Sequence, residues 1–182
     1  MIYVLVALES EVEGLSLPSN MQLVFTGVGK INATYHATRT ALLADCTQII
    51  NYGTAGTLQS AYAGRFVTVA RIVQRDIDGR PLVERGVTPF EAGPYANEIT
   101  VAADGVTLST GDNFVTTPPA ITSDIVDMEA YAIAKVCGRL EVPFCCVKYV
   151  TDLADENATA NWRENVSNGV GALQMFLDQF EA

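Results

Sequence analysis

A chain of 182 residues, 49% hydrophobic and 18% charged, can bury a substantial core and is too apolar for a disordered segment. The size predicts one domain. A formal net charge of −10 argues against nucleic acid and anionic membrane surfaces as partners, since both call for basic patches.

Short apolar runs alternate with amphipathic stretches along the chain. The opening MIYVLVAL is too short for a membrane span and lacks a basic leader, so Ile2–Leu8 is read as a first strand and not a signal peptide. Met21–Thr26 is a second strand, and a helix over Ile31–Ala44 follows the turn GVGK. Gln48–Tyr52 runs as a strand into GTAG, and Phe66–Val73 is another. Residues 76–98 are rich in Asp, Gly and Pro and read as loop, with a weak strand near Pro81–Glu84. Val106–Ser109 is a strand ending in TGD, and Met128–Leu140 is a helix. Phe144–Val150 is the most apolar late strand. A last helix is predicted over Trp162–Phe180, where Val166, Val170, Leu173, Leu177 and Phe180 form one stripe. Buried strands separated by helices predict an α/β fold, a mainly parallel, twisted sheet flanked by helices on both faces.

The cysteines Cys46, Cys137, Cys145 and Cys146 form no CxxC pair and are read as reduced thiols, which fits the cytoplasm. The sequons at Asn157 and Asn165 carry no weight in that compartment.

In α/β sheets, ligands sit beyond the carboxyl ends of the strands. The predicted exits deliver Glu9 and Glu11, then Thr54, then Asp112 and Phe114, then Thr151 and Asp152. Glu129 heads a helix whose apolar stripe continues through Ile133, Val136 and Leu140, whereas Asp127 lines up with Tyr131 and Lys135 and is expected to face water. A carboxylate at the head of an apolar stripe either caps its own helix or answers a ligand. GVGKIN lacks the third glycine of a dinucleotide fingerprint, and no GxxxxGK[ST] occurs. His36 is the single histidine and falls inside a helix, which removes His-based triads and most zinc sites; no metal is expected. What remains is carboxylate chemistry: activating water, protonating a leaving group, stabilising a cationic transition state.

The blocks ALESEVEGL, TGVGKINA, NYGTAGTL, STGDNFV, VDMEAYAIAKVC and YVTDLAD resemble, in order and over most of the chain, the nucleoside phosphorylase/nucleosidase family. The likeness is greatest to the methylthioadenosine/S-adenosylhomocysteine nucleosidases. The resemblance implies that Glu11 activates water and that Asp152 protonates the purine at N7. It implies that Glu129 grips the ribose hydroxyls with Met128 against the sugar, and that Phe114 stacks on the base while the Val115 backbone bonds its edge. Thr54 and Thr151 match serines near the ribose and beside the catalytic aspartate, and Leu8 and Val28 match apolar positions near the 5′ substituent. It further implies a purine nucleoside as the small-molecule partner, no cofactor, and a homodimer. The chain departs from the pattern in a shortened stretch around 76–106, in Lys148 for a usual arginine, and in Tyr131 at a usually small position.

Two other readings stay open at this level. A phosphorylase needs cations for phosphate, and Arg39, Arg71 and Arg75 are candidates, although Glu9 and Glu11 would both repel an approaching anion. A nucleoside-binding protein without turnover would not need both a water activator and a leaving-group acid.

Overall fold

The computed structural model describes residues 1–155 and 158–180. Asn157, the first sequon, lies outside the described residues. Among the described residues, eight strands and four α-helices follow one another as β1 (Ile2–Val6), β2 (Met21–Phe25), α1 (Lys30–Ala41), β3 (Gln48–Thr57), β4 (Phe66–Gln74), β5 (Glu98–Thr100), β6 (Val106–Thr110), β7 (Ile125–Asp127), α2 (Ala130–Arg139), β8 (Phe144–Leu153), α3 (Ala158–Asn165) and α4 (Val170–Leu177).

All eight strands join one mixed sheet. Five pairings are parallel, β1 with β2 and β3, β3 with β8, and β6 with β4 and β7. Three are antiparallel, β3 with β7, and β4 with β5 and β8. Because β8 bridges β3 and β4 while β7 returns to β3, the strands β3, β8, β4, β6 and β7 close into a ring.

Alternation along β1 divides the core. Tyr3 and Leu5 pack with Ala33, Ala37 and Ile133 under α1 and α2, while Val4 and Val6 pack with Leu173 and Leu177 of α4. A third cluster, with Val69, Ile72, Leu108, Ile125 and Val150, fills the ring and meets Ala130 and Tyr131 of α2. Both faces are covered by helices, as apolar strands of a parallel sheet require.

Four expectations are corrected. The single last helix is two, α3 and α4, interrupted over residues 166–169, where Ser167, Asn168 and Gly169 are types that favour turns over helix interiors. Pro81–Glu84 is a turn, with Leu82 N–H donating to the Gly79 carbonyl at 3.0 Å; the short strand of this stretch is β5. Its loop is pinned to α2 instead, where Glu91 pairs with Lys135 and Arg139 and the Tyr131 hydroxyl donates to the Tyr95 carbonyl at 2.8 Å. The helix Met128–Leu140 begins two residues late, because residues 125–127 form β7. Asp127 is buried rather than facing water.

Candidate active site

The registers of β3 create the site. β1 pairs β3 only as far as Leu5 opposite Asn51, and β7 takes up the same edge at Gly56 opposite Val126. Between them, residues 52–55 present backbone groups to no strand on that side. Glu11, on a 3-10 turn just past β1, fills this gap. Its Oε1 accepts the Thr54 N–H at 2.7 Å and the Thr54 hydroxyl at 2.8 Å, and its Oε2 accepts the Leu8 N–H at 3.0 Å. The glycines of NYGTAG make the approach possible. A Cβ on Gly53 would sit 3.3 Å from both Glu11 Oε1 and Lys148 Nζ, and one on Gly56 would sit 3.0 Å from Asp152 Oδ1.

At the head of α2, two carboxylates divide the work. Asp127 Oδ2 accepts the Ala130 N–H at 2.9 Å and lies 2.9 Å from Lys148 Nζ, while Oδ1 accepts the Thr110 hydroxyl at 2.6 Å. The capping alternative thus falls to Asp127. Both members of the Asp127–Lys148 pair are almost fully buried, and each offsets the other's desolvation. Burial lowers the Lys148 pKa, yet Asp127 and the surrounding negative groups outweigh it, so the ammonium is held above its ordinary range. Glu129 turns the other way. It accepts the Gly29 N–H at 2.8 Å. Burial, reinforced by the Asp127 charge, pushes its pKa up to about 7 against the pull of Lys148 and Gly29.

Asp152, near the end of β8, accepts the Thr151 hydroxyl at 2.7 Å. Burial raises its pKa, the Thr151 bond pulls against that, and Asp155 adds to the rise. A carboxyl held above its ordinary range keeps its proton to higher pH than an exposed aspartate does, the direction a leaving-group acid needs.

These groups open into one cavity of about 330 Å³, within the usual size range of small-molecule sites. Leu8, Glu11, Val28, Thr54, Phe114, Val115, Met128, Glu129 and Asp152 all line it; Thr151 stands behind, against Asp152. Glu9 is a correction. It is exposed and does not line the cavity, so a single carboxylate faces inward from the exit of β1. His36 lies on α1 edge-on to Tyr35, away from the cavity.

Sequence reasoning missed Trp162 and Arg163 of α3 as lining residues, and it missed the role of Arg75. Trp162 stands four residues before Val166 and reads as part of the apolar stripe, so the sequence carries no separate signal for it. Arg75 is buried, and its terminal nitrogens donate to the carbonyls of Ser109, Gly111, Asn113 and Asp127 at 2.6–3.0 Å. It clamps the β6 exit to β7. Arg39 lies over the Tyr35 ring and Arg71 is exposed, so neither reaches the cavity. Among the described residues, no group of three or more His, Cys, Asp or Glu is arranged to hold a metal ion.

A carboxylate-lined pocket in a mixed sheet with helices on both faces has well-defined counterparts. The family model described as "Phosphorylase superfamily" matches residues 19–181, and the chain belongs to that family. Among its relatives, the 5′-methylthioadenosine/S-adenosylhomocysteine nucleosidase of Buchnera aphidicola subsp. Acyrthosiphon pisum (strain Tuc7) is 32% identical, over 79% of this chain and 72% of the relative. The protein of the same name from Baumannia cicadellinicola subsp. Homalodisca coagulata is 28% identical, over 85% and 78%. Among solved structures, the Helicobacter pylori 5′-methylthioadenosine/S-adenosylhomocysteine nucleosidase with butyl-thio-DADMe-Immucillin-A has a TM-score of 0.85 at 19% identity. That match covers 98% of this chain and 96% of the other. The nucleoside phosphorylase-like fold is the one expected from the sequence.

Proposed function

We propose that this chain is a hydrolase of the N-glycosidic bond of purine nucleosides, acting on 5′-methylthioadenosine, S-adenosylhomocysteine or both. The observation that carries the reading is the convergence of Glu11, Glu129 and Asp152, from three separate elements, on one cavity. The names of the relatives supply the substrate class.

In this reading Asp152 gives its proton to purine N7 as the C1′–N9 bond breaks, so the base leaves neutral. The positive charge developing on the sugar is stabilised by the surrounding carboxylates. Glu11 takes a proton from the water whose oxygen bonds to C1′. Glu129 accepts hydrogen bonds from the ribose hydroxyls, Met128 lies against the sugar, and Phe114 and Val115 hold the base. Thr54 and Thr151 orient Glu11 and Asp152, and Leu8 and Val28 form the wall for the 5′ group. The products are adenine and a free ribosyl sugar, and no cofactor enters the scheme.

The test is incubation with adenosine, 5′-methylthioadenosine and S-adenosylhomocysteine, with chromatographic detection of free adenine. Binding of all three without base release would leave a binding protein.

The chain is further proposed to act as a homodimer in the cytoplasm. Support for the dimer comes from the apolar side chains exposed at the two ends of α1, Ile31 at 83%, three residues from Val28 of the cavity lining, and Leu42 at 68%, just past its last turn. Support for the compartment comes from four free cysteines. No described helix is long and apolar enough to cross a membrane. Light scattering at micromolar concentration tests the dimer; a fully active monomer contradicts it.

A further inference from the structure

We infer that Trp162 is a positioning residue for the hydrolytic reaction: it fixes the direction in which the Thr54 hydroxyl donates, and through it the water-facing carboxylate of Glu11. The inference rests on the reading of Glu11 as the group that activates water.

Trp162 Nε1 lies 3.0 Å from Thr54 Oγ1, and Thr54 Oγ1 lies 2.8 Å from Glu11 Oε1. The three groups form a line across the cavity wall. An indole N–H can only donate, a carboxylate can only accept, and a hydroxyl has one proton and two lone pairs. Thr54 must therefore accept from Trp162 and give its single proton to Glu11. No other assignment satisfies both ends. Without the indole, the hydroxyl is free to turn its proton to water, and Oε1 keeps only the Thr54 N–H.

The second half of the argument is where Trp162 comes from. Glu11 and Thr54 belong to the β1 exit and β3, whereas Trp162 belongs to α3, which follows Asp152 on the same stretch of chain. Asn165 at the end of α3 donates to the Thr151 carbonyl at 3.2 Å and to the Asn161 carbonyl at 2.8 Å, tying the helix to the β8 exit. The relay thus couples the helix tied to the β8 exit, which bears the leaving-group acid, to the carboxylate that faces the water. Trp162 is the single tryptophan of the chain, and a phenylalanine at its position would keep the apolar wall and lose the donor.

The experiment is a double-mutant cycle on kcat and KM for 5′-methylthioadenosine with Trp162→Phe, Thr54→Ala and the pair. Trp162→Phe is expected to lower kcat by about tenfold, the scale of one lost hydrogen bond in a charged network, with KM within about threefold of wild type. In the Thr54→Ala background the same substitution is expected to cost nothing further. Thr54→Ser keeps the hydroxyl and, measured against its own kcat, should restore the tenfold sensitivity to Trp162→Phe; it serves as the arm least disturbing to the fold. Equal losses from Trp162→Phe in the wild-type and Thr54→Ala backgrounds would overturn the relay and leave Trp162 an apolar wall. A wild-type chain that binds the nucleoside but releases no base overturns the hydrolase reading, and the relay falls with it.

Discussion

Glu129 and Gly29 meet across one hundred residues of sequence, the Gly29 N–H donating to Glu129 Oε1 at 2.8 Å. Gly29 sits at φ +93°, and a Cβ there would lie 3.2 Å from Asp112 Oδ1. The TGVGK turn is therefore a backbone donor to Glu129, the carboxylate proposed to hold the ribose. Gly29→Ala is expected to strain the turn by about 1–2 kcal/mol and to displace the N–H from Glu129. KM for the nucleoside should rise about tenfold, with a smaller change in kcat. Steady-state adenine release measures both, and an unchanged KM would count against Glu129 as the ribose grip.

The two other acids separate by role. In the proposed mechanism, Asp152→Asn removes the proton given to the base, and Glu11→Gln removes the acceptor for the water proton. Each is expected to lower kcat by about 10²–10⁴-fold, the usual range for general acid–base catalysis. Binding should survive in both, since neither is assigned the ribose or the 5′ group. Calorimetric titration with 5′-methylthioadenosine checks binding in the variants. Wild-type turnover in either variant would remove that residue from the mechanism.

The elevated pKa of Glu129 has a consequence for stability. Its carboxyl titrates at about 7 in the folded chain, against about 4.3 for an exposed glutamate. The folded state binds the proton more tightly, so this contribution is fully present below pH 4.3 and is lost as pH rises through 7. The size is about 4 kcal/mol, at about 1.4 kcal/mol for each pH unit between the two values. Glu129→Gln carries no titrating proton, so above pH 7 it should melt several degrees higher than wild type, and the gap should close toward pH 4.5. Thermal melts from pH 4.5 to 8 read the effect. A pH-independent gap would mean that Glu129 does not titrate in this window. In the proposed mechanism activity should also fall as pH rises through the raised pKa of Asp152, the group assigned to donate a proton to the base.

Lys148 is the counter-ion for the buried Asp127. Lys148→Met fills a similar volume but leaves a carboxylate without its cation. A loss of about 3–5 kcal/mol is expected, the cost of breaking a buried pair from one side. Urea unfolding measures it. The double variant Asp127→Asn, Lys148→Met should recover much of the loss, because no unpaired charge then remains.

Much of this was legible in the sequence because strand exits and periodicity are local. Glu11, Thr54 and Asp152 follow apolar runs, and nothing distant is needed to mark them as rim residues. Asp127 was misread for the opposite reason. Its inward turn depends on Lys148, twenty-one residues later, and on three residues forming β7, too short a run to show a period. Glu9 and Glu11 are equivalent by position, and only the unpaired edge of β3 selects Glu11. Trp162 hides at the start of a predicted helix that in fact breaks over residues 166–169, so its distance to Thr54 is a property of the packing of α3.

The nucleophile is the sharpest test of class. A phosphate entering beside Glu11 would need cations. Arg75 has its terminal nitrogens committed to four backbone carbonyls, and Lys148 is held by Asp127. Among the described lining residues that leaves Arg163, exposed on α3, against the carboxylates of Glu11 and Glu129. Charges in a partly desolvated cleft interact more strongly than in water, so the repulsion outweighs what one solvated guanidinium returns. Adenine release should therefore proceed in phosphate-free buffer, with a free reducing sugar as co-product. Added phosphate should neither accelerate the reaction appreciably nor yield a sugar 1-phosphate. The sugar must be identified chemically, because base release accompanies both reactions. Stoichiometric sugar 1-phosphate, with no turnover when phosphate is withheld, would make this chain a phosphorylase and would require Arg163 to swing onto the anion.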